Sequence, residues 1–310
     1  MSRWRSGRRR WAGAALVLAA TTAGSVVAVL AGTAGATTRP VPQIGVEYAV
    51  GQAAQQSTQA FWTPARMAAA TPVLKPLTPL VAGPASGPPR GIPTAKLFNG
   101  VATVGALFFV NNGAHFCTAS VISSKAGDLV LTAAHCVFDS GHAFKNVEFV
   151  PGYHQVGKAP HGKWAVSKIF VAAGWAKGQN PALDFAFVTV APPAGTTKTI
   201  QQVTGALQLG INRPYKRPIE VIGYNTVNTR PVECATHSFE FEKTQLEFYC
   251  HDYRDGTSGS PWIVRYDSRN GTGLVIGTIG GFELGGDVEW ASYSAYFGES
   301  TYLLWRLAEV

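Results

Sequence analysis

The C-terminal two thirds of this chain lack an excess of basic residues, although the 310 residues together carry a formal net charge of +8. Ten Lys and Arg residues and a single acid, Glu47, fall within residues 1–96. Residues 97–310 therefore keep 16 basic and 17 acidic residues. A net charge near zero does not supply the basic footprint that nucleic-acid binding needs, so we expect no nucleic-acid partner.

Cysteine is also scarce, with four residues in the whole chain. None of them has the CxxC spacing of metal ligands, so a structural zinc is not expected and no metal-ligating residue is assigned. Four cysteines permit several pairings, between which sequence alone does not choose. The two local pairings, Cys117 with Cys136 and Cys234 with Cys250, are the simplest. Disulfides of this kind are typical of an exported protein in an oxidising compartment.

The first ten residues are rich in arginine, and no charged residue follows from Trp11 to Thr38. Small residues at 34–36 complete a pattern that is typical of a secretory signal peptide, which we assign to residues 1–36. The protein is then secreted and has no stable association with a membrane. The alternative is an uncleaved anchor, because the apolar run is long enough to span a bilayer.

Residues 37–96 are rich in Ala, Thr, Gln and Pro and lack the apolar runs of a core. Their prolines favour extended, polyproline-like structure, so we predict a propeptide or linker. Arg90 and Lys96 are basic residues at which an endopeptidase would process the chain. The folded domain is expected to begin at residue 97.

From residue 97 onward the sequence shows no long helical periodicity and no internal repeat. Short apolar runs alternate instead with Gly, Asn and Pro, as in VATVGALFFV and GLVIGTIGG. This texture predicts antiparallel sheets in a sandwich or in barrels. The spacing of Tyr302, Leu303, Trp305 and Leu307 predicts a C-terminal helix packed on the sheets.

Two residues stand in sequence contexts suited to chemistry. His135, in LTAAHC, follows a strand-like run, and the cysteine after it is able to fix its turn. Asp184, in NPALDFAFVTV, lies among apolar residues just before a strand, so partial burial of its carboxylate is expected. A buried carboxylate is costly without a donor, and a histidine is one such donor.

The segment GTSGSP, which begins at Gly256, predicts a tight turn that presents the hydroxyl of Ser258. A serine hydroxyl is a poor nucleophile unless a base accepts its proton and an acid orients that base. The N–H groups of Gly256 and Ser258 are candidates for stabilising an oxyanion. Alone, such a turn is most often ordinary polar structure, so the argument depends on its combination with His135 and Asp184.

The order His135, Asp184, Ser258, with the motifs TAAHC and GxSGxP, resembles the chymotrypsin-like (trypsin-like) serine endopeptidases of the secreted, actinomycete-type bacterial branch. The resemblance covers residues 97–310. It implies an all-β fold of two antiparallel six-stranded β-barrels, roughly residues 97–205 and 206–298, followed by a helix at 299–308. It also implies that the Cys117–Cys136 pair brackets the histidine.

The resemblance assigns a role to each candidate residue. His135 would be the general base, Asp184 the orienting acid and Ser258 the nucleophile. The oxyanion hole would be formed by Gly256 and Ser258, and the strand that pairs with the substrate backbone would include Thr278, Ile279 and Gly280. The implied function is a secreted serine endopeptidase that hydrolyses peptides or proteins through an acyl-enzyme, as a monomer without a cofactor. The alternative is a catalytically silent, protease-like binding protein.

Two positions depart from the usual family pattern. Thr257 stands where the family usually has an Asp that pairs with a newly freed N-terminus, so activation through that ion pair is not expected. Cys250 lies eight residues before Ser258 instead of four as in trypsin, so the Cys234–Cys250 pair is expected to be a different disulfide from the one that trypsin has near its serine.

Cleavage specificity depends on Asp252, which lies six residues before Ser258, where trypsins keep the carboxylate of the specificity pocket. A buried anion there would favour Lys or Arg before the cleaved bond. The alternative is that Asp252 is solvated or paired with Arg254. Glutamyl specificity is less favoured, because the relatives that have it use a histidine after the nucleophile and no histidine follows Ser258.

Overall fold

The computed structural model describes residues 44–73, 87–155 and 157–309. The predicted signal peptide at residues 1–36 lies outside these residues, as do two parts of the predicted propeptide or linker, residues 37–43 and 74–86. Within the described ranges, no helix is long and apolar enough to cross a membrane.

The described residues form eighteen strands, five α-helices and three short 3₁₀ turns. The strands of the N-terminal half are β1 (Gly45–Ala49), β2 (Thr71–Pro72), β3 (Lys96–Leu97), β4 (Val104–Val110), β5 (Ala114–Val121), β6 (Leu129–Thr132), β7 (Phe138–Asp139), β8 (His142–Ala143), β9 (Lys145–Pro151), β10 (Trp164–Ala172) and β11 (Ala186–Val190). Those of the C-terminal half are β12 (Gln208–Leu209), β13 (Arg217–Gly223), β14 (Val232–Glu242), β15 (Gln245–Tyr249), β16 (Pro261–Asp267), β17 (Thr272–Thr278) and β18 (Ala291–Ala295). The helices are α1 (Gln52–Phe61), α2 (Pro64–Ala68), α3 (Ala173–Gly178), α4 (Ile200–Thr204) and α5 (Glu299–Ala308), and the 3₁₀ turns are Ala134–Cys136, Pro181–Leu183 and Phe282–Gly285.

Six antiparallel strands form a closed first barrel in the order β10, β11, β6, β5, β4 and β9, because β9 pairs back with β10. Strand β1 extends this sheet beside β10, and the short β2 runs parallel to β5. Buried Val, Leu and Phe side chains of these strands fill the first core. The near-continuous apolar run of β4 is explained by cover on both of its faces.

Six further antiparallel strands form the second barrel in the order β17, β16, β13, β14, β15 and β18. Its end strands are joined by two hydrogen bonds, from Gly280 N–H to the Tyr293 carbonyl (3.0 Å) and from Thr278 N–H to Ser294 Oγ (2.9 Å). Strand β3 pairs with β14 on the outside. The predicted all-β, two-barrel fold with a C-terminal helix is confirmed.

Both local disulfides are confirmed. Cys117 on β5 is bonded to Cys136, beside His135, and Cys234 on β14 is bonded to Cys250. The first disulfide ties the turn of His135 to a central strand of the first barrel. The second joins β14 to the segment that leads to the serine turn.

The prediction of extended polyproline-like structure is wrong for residues 44–73, which form β1, α1, α2 and β2. Two features of the sequence account for the difference. Helix α1 reads QAAQQSTQAF, and Ala and Gln are good helix formers. The buried side chains of Trp62 and Met67 also pack in the first core. The segment is therefore stabilised by the barrel and not by a core of its own. The predicted domain boundary at residue 97 stays a prediction.

Candidate active site

The structure places His135 at the end of strand β6, in the 3₁₀ turn Ala134–Cys136. Its Nδ1 lies 2.8 Å from Oδ2 of Asp184, and its backbone N–H donates to Oδ1 of Asp184 (3.0 Å). Because Nδ1 faces a carboxylate, it carries the proton in the neutral ring. Nε2 is then the nitrogen with a free lone pair.

Asp184 is fully buried between the 3₁₀ turn Pro181–Leu183 and strand β11. Besides the two bonds from His135, its Oδ2 accepts the backbone N–H of Gly281 at 2.8 Å. Three donors thus compensate the cost of removing the carboxylate from water. The donor from Gly281 belongs to the second barrel, so Asp184 connects the two halves of the molecule.

The turn that contains Ser258 requires glycine at two positions. Gly256 and Gly259 have φ angles of +89° and +85°, which L side chains rarely adopt. A Cβ at Gly256 would lie 2.5 Å from the Phe116 ring, and one at Gly259 would lie 2.0 Å from the Thr118 carbonyl oxygen. The GTSGS sequence is therefore matched to a left-handed, closely packed turn.

Thr118, on β5, holds the serine turn against the first barrel. Its backbone N–H donates to the Ser258 carbonyl (2.8 Å), and its hydroxyl donates to the Gly256 carbonyl (3.1 Å). The same hydroxyl accepts the N–H of Tyr224 at 3.0 Å. Since Thr118 follows Cys117 of the first disulfide, one strand supports both the histidine turn and the serine turn.

Nε2 of His135 and Oγ of Ser258 are buried and have no hydrogen-bond partner among the described residues. Buried polar atoms are usually satisfied, so two such atoms in adjoining turns need an explanation. Catalytic hydrogen bonds are often long before substrate binds and shorten in the reacting complex. These two atoms are the base and the nucleophile of the predicted triad.

The predicted oxyanion donors lie in the same turn. Thr257 N–H donates to the Arg254 carbonyl, and Gly259 N–H donates to the Ile279 carbonyl. Within the described chain, the N–H groups of Gly256 and Ser258 donate to no protein acceptor. They are the two backbone donors of this turn that remain for a bound group.

The predicted substrate strand begins at the end of β17 and passes close to Asp184. The N–H groups of Thr278, Ile279 and Gly280 all bond internally, to Ser294 Oγ, the Ser260 carbonyl and the Tyr293 carbonyl. A Cβ on Gly280 would lie 3.0 Å from Oδ2 of Asp184. This close approach brings the strand to the site. Because the Ile279 carbonyl already accepts the N–H of Gly259, the carbonyl of Gly280 is the candidate for substrate pairing.

Asp252 does not lie in an enclosed pocket. Its carboxylate pairs with Arg254 (2.9 Å), and its side chain is 44% exposed. This arrangement is the alternative that the sequence left open. The residue has a left-handed backbone (φ +67°), fixed by its N–H donating to the carboxylate of Glu289.

Sequence reasoning missed further acidic residues beside the serine turn. Asp255, Asp287 and Glu289 line a cavity of about 210 Å³, and Arg254 is the basic residue in the same wall. Burial and the neighbouring Asp287 carboxylate raise the pKa of the nearby Glu283 to about 7. The signal was present in GGDVEW, but its proximity to Ser258 depends on the loop that returns from β17.

A second cavity, of about 380 Å³, includes His135 in its wall. Its apolar lining residues are Val73, Phe109, Phe144 and Leu284, and its other polar lining residues are Asn111, His115, Asp139 and Gln179. This cavity therefore offers both apolar surface and polar groups beside His135.

Within the described residues, Cys117, His135 and Cys136 place potential metal-ligand atoms within 4.8 Å of one another. Both sulfur atoms belong to the first disulfide, so the group offers no thiolate to a metal. It does not support a metal site.

The trypsin family model matches residues 100–281, more than half of the chain. This chain belongs to the trypsin family. Its enzyme class is accordingly that of a serine endopeptidase, a hydrolase, as the sequence predicted. No curated protein is significantly similar in sequence.

Solved structures of bacterial-type proteases resemble this trypsin-family chain. The protease Anisep from Arthrobacter nicotinovorans is 21% identical with a TM-score of 0.62, covering 70% of this chain and 99% of its own. The thermostable serine protease AL20 from an extremophilic microorganism is 25% identical with a TM-score of 0.59, covering 67% and 97%. A Glu endopeptidase in complex with MPD is 15% identical with a TM-score of 0.57, covering 71% and 98%. The likenesses to Anisep and the Glu endopeptidase establish the fold alone.

Proposed function

We propose that the protein is a secreted serine endopeptidase in which Ser258 is the nucleophile, His135 the general base and Asp184 the orienting acid. The observation that carries the proposal is the pair of hydrogen bonds that fixes His135 on the buried Asp184. The unpartnered Nε2 and Oγ atoms of His135 and Ser258 are consistent with these roles.

In the proposed mechanism, Oγ of Ser258 attacks the carbonyl carbon of the substrate while Nε2 of His135 accepts its proton. Asp184 keeps the proton of the imidazole on Nδ1 and stabilises the imidazolium that forms. The N–H groups of Gly256 and Ser258 donate to the oxyanion. His135 then protonates the leaving amine, and water, activated by the same nitrogen, hydrolyses the acyl-enzyme.

We further propose cleavage after Lys or Arg. Asp252 alone is weak support, because Arg254 already neutralises it at the surface. Stronger support comes from the carboxylates of Asp255, Asp287 and Glu289, which outnumber Arg254 in the wall of the neighbouring cavity. Together they favour a cationic side chain before the cleaved bond.

We also propose that the chain is exported with removal of residues 1–36 and is then processed within residues 37–96, with residues 97–310 as the catalytic domain. The two disulfides suit an extracellular protein. Sequencing the N-termini of the exported protein tests this part, and an intact N-terminal segment in the membrane fraction would contradict it.

The function is tested by turnover of fluorogenic peptides that differ only in the residue before the cleaved bond. Ser258→Ala is expected to lower kcat by more than about 10⁴-fold, because it removes the nucleophile. Ser260→Ala is the matched control, since it removes another buried hydroxyl of the same segment that has no partner among the described residues; it should retain most of the activity.

Labelling with an organophosphonate separates the enzyme from the alternative, a catalytically silent binding protein. The enzyme is expected to gain one phosphonyl group, located on Ser258 by mass spectrometry. A folded, processed protein that neither turns over peptides nor reacts at Ser258 would contradict the proposal. Turnover confined to apolar residues would keep the triad and reject the basic specificity.

A further inference from the structure

Residues 44–73 lie before residue 100, where the family match begins, and yet they are built into the first barrel. Strand β1 pairs with β10 over five residues, from Gly45 opposite Ala172 to Ala49 opposite Lys168. Hydrogen bonds from Val50 N–H to the Ser167 carbonyl (2.8 Å) and from Ala173 N–H to the Ile44 carbonyl (3.2 Å) extend the pairing at both ends. The first barrel is thus widened by a strand from this segment.

Trp62 is the main anchor of the segment. Its side chain is fully buried, packs 5.3 Å from the Phe108 ring and donates from Nε1 to the Asn146 carbonyl (2.6 Å). Lys163 Nζ donates to the Trp62 carbonyl (2.8 Å) at the C-terminal end of α1. A cation at this end of a helix is favourable, because the last carbonyl groups lack partners there.

The barrel surface beneath residues 44–73 would be unfavourable if it were exposed to water. Phe108 is fully buried and stands opposite Glu148 in the pairing of β4 with β9. Glu148 is itself fully buried, and its carboxylate has no hydrogen-bond partner among the described residues. Next to this patch, Gly157 packs so closely on Pro64 that a Cβ would lie 2.5 Å from it.

The end of the segment reaches the active site. Thr71 and Pro72 pair with His115 and Phe116, and Val73 lines the cavity beside His135. The Phe116 ring lies against Gly256, in the turn of the proposed nucleophile. Strand β2 therefore supports the strand on which that turn rests.

The two predicted processing residues differ in their surroundings. Arg90 lies in an exposed turn before Gly91. Lys96 lies in β3, paired with Glu233, and the preceding residues are held by bonds between His251 and both Pro93 and Ala95. An endopeptidase needs a backbone that is free to enter its cleft, which the exposed turn provides and the paired strand does not.

We propose that residues 44–73 are a permanent accessory element of the protease, which stays docked on the first barrel after hydrolysis of the Arg90–Gly91 bond and supports the active site. Water adds across that peptide bond, giving a carboxyl group on Arg90 and an amine on Gly91; an endopeptidase specific for basic residues performs the step. The inference rests on the proposed processing of the exported chain and not on the triad. The active protein then has two chains held together without a covalent bond.

The test cuts the chain independently of its own activity. A recognition sequence for a site-specific viral protease is inserted after Arg90 in the full chain carrying Ser258→Ala. After cutting, a denaturing gel is expected to show two fragments, whereas gel filtration under native conditions should give one peak that contains both. Separate elution of the N-terminal fragment from a folded remainder would overturn the proposal.

Trp62→Ala is expected to weaken retention of the fragment by about 100-fold or more, because it removes the anchor from its site. Gln56→Ala, on the exposed side of α1, is the control and should leave retention unchanged. Equal retention in both variants would overturn the assigned docking surface.

The supporting role has its own readout in cut protein that keeps Ser258. Stripping the fragment with mild denaturant, followed by refolding with and without it, is expected to give higher kcat/KM with the fragment present. Higher activity without the fragment would mark it as an inhibitor and overturn the supporting role. If no peptide is turned over at all, the proposed function fails while the retention result still stands.

Discussion

Among the residues that the structure describes, two histidine–carboxylate pairs have nearly equal length but very different surroundings. Nδ1 of His135 lies 2.8 Å from Asp184, and these side chains are 5% and 0% exposed. Nδ1 of His251 lies 2.9 Å from Glu289, and these side chains are 34% and 41% exposed. Both pairs lie near the serine turn, so distance and location do not separate them.

Burial and additional donors separate the two pairs. Asp184 accepts two further backbone N–H groups, and its carboxylate is fully buried, where charge interactions are strong. Glu289 accepts one further N–H, from Asp252, while its own carboxylate stays partly in water. The buried pair is suited to fixing a base in one orientation, and the exposed pair to shaping a loop.

The largest effect is expected from Asp184→Asn. The amide cannot keep the proton of His135 on Nδ1, because it also offers a donor, so the wrong tautomer forms. We expect kcat to fall by about 10⁴-fold with little change in KM. Peptide turnover measures this effect. A loss of less than about tenfold would mean that the buried pair does not orient the base.

Glu148 provides a third case for this comparison, a buried carboxylate that has no hydrogen-bond partner among the described residues. Burial raises its pKa to about 8, although the nearby Lys163 lowers it. The folded protein therefore holds a proton that the unfolded chain releases above about pH 4.5. This contribution to stability is complete below about pH 4.5 and is lost as the pH rises towards 8, by up to about 1.4 kcal/mol per unit.

Urea unfolding at several pH values between 5 and 8 measures that dependence. Glu148→Gln, which keeps the shape and does not titrate, should flatten it by removing this group's share. Equal pH slopes in the wild type and the variant would contradict the assignment to Glu148.

The smallest effect is expected from Glu289→Gln. Exposed ion pairs contribute little, so the free energy of unfolding should change by less than about 1 kcal/mol. The same substitution removes one carboxylate from the wall of the acidic cavity and should lower the preference for Lys and Arg over apolar residues only modestly. Peptide-panel kinetics and urea unfolding check the two parts. A loss of activity comparable with that of Asp184→Asn would contradict the assignment of the exposed pair to shaping a loop.

Much of the fold was predictable, because it rests on local patterns. Short apolar runs between turn residues indicated the strands, and the local cysteine pairings proved to be the disulfides. The candidates His135, Asp184 and Ser258 were found from short motifs in a fixed order. Their catalytic roles stay a prediction, to which the structure adds the hydrogen bonds of His135 and Asp184.

The remainder depends on contacts between distant parts of the chain. The fold of residues 44–73 was missed because Trp62 finds its partner, Asn146, 84 residues later. The Gly281 donor to Asp184 is a backbone group, which no side-chain pattern reveals. For Asp252 the sequence left two interpretations, and the pairing with Arg254 depends on a left-handed loop held by Glu289.

The hydroxyl of Thr118 limits how the two barrels can evolve. It donates to Gly256 and accepts from Tyr224, so a replacement must offer both functions from one small side chain. Valine keeps the volume but has neither function, which leaves serine as the natural substitute. Substitutions in β5 of the first barrel are therefore coupled to those near Tyr224 and Gly256 of the second barrel. The spacing between the two barrels at this point is conserved only if all three segments remain compatible.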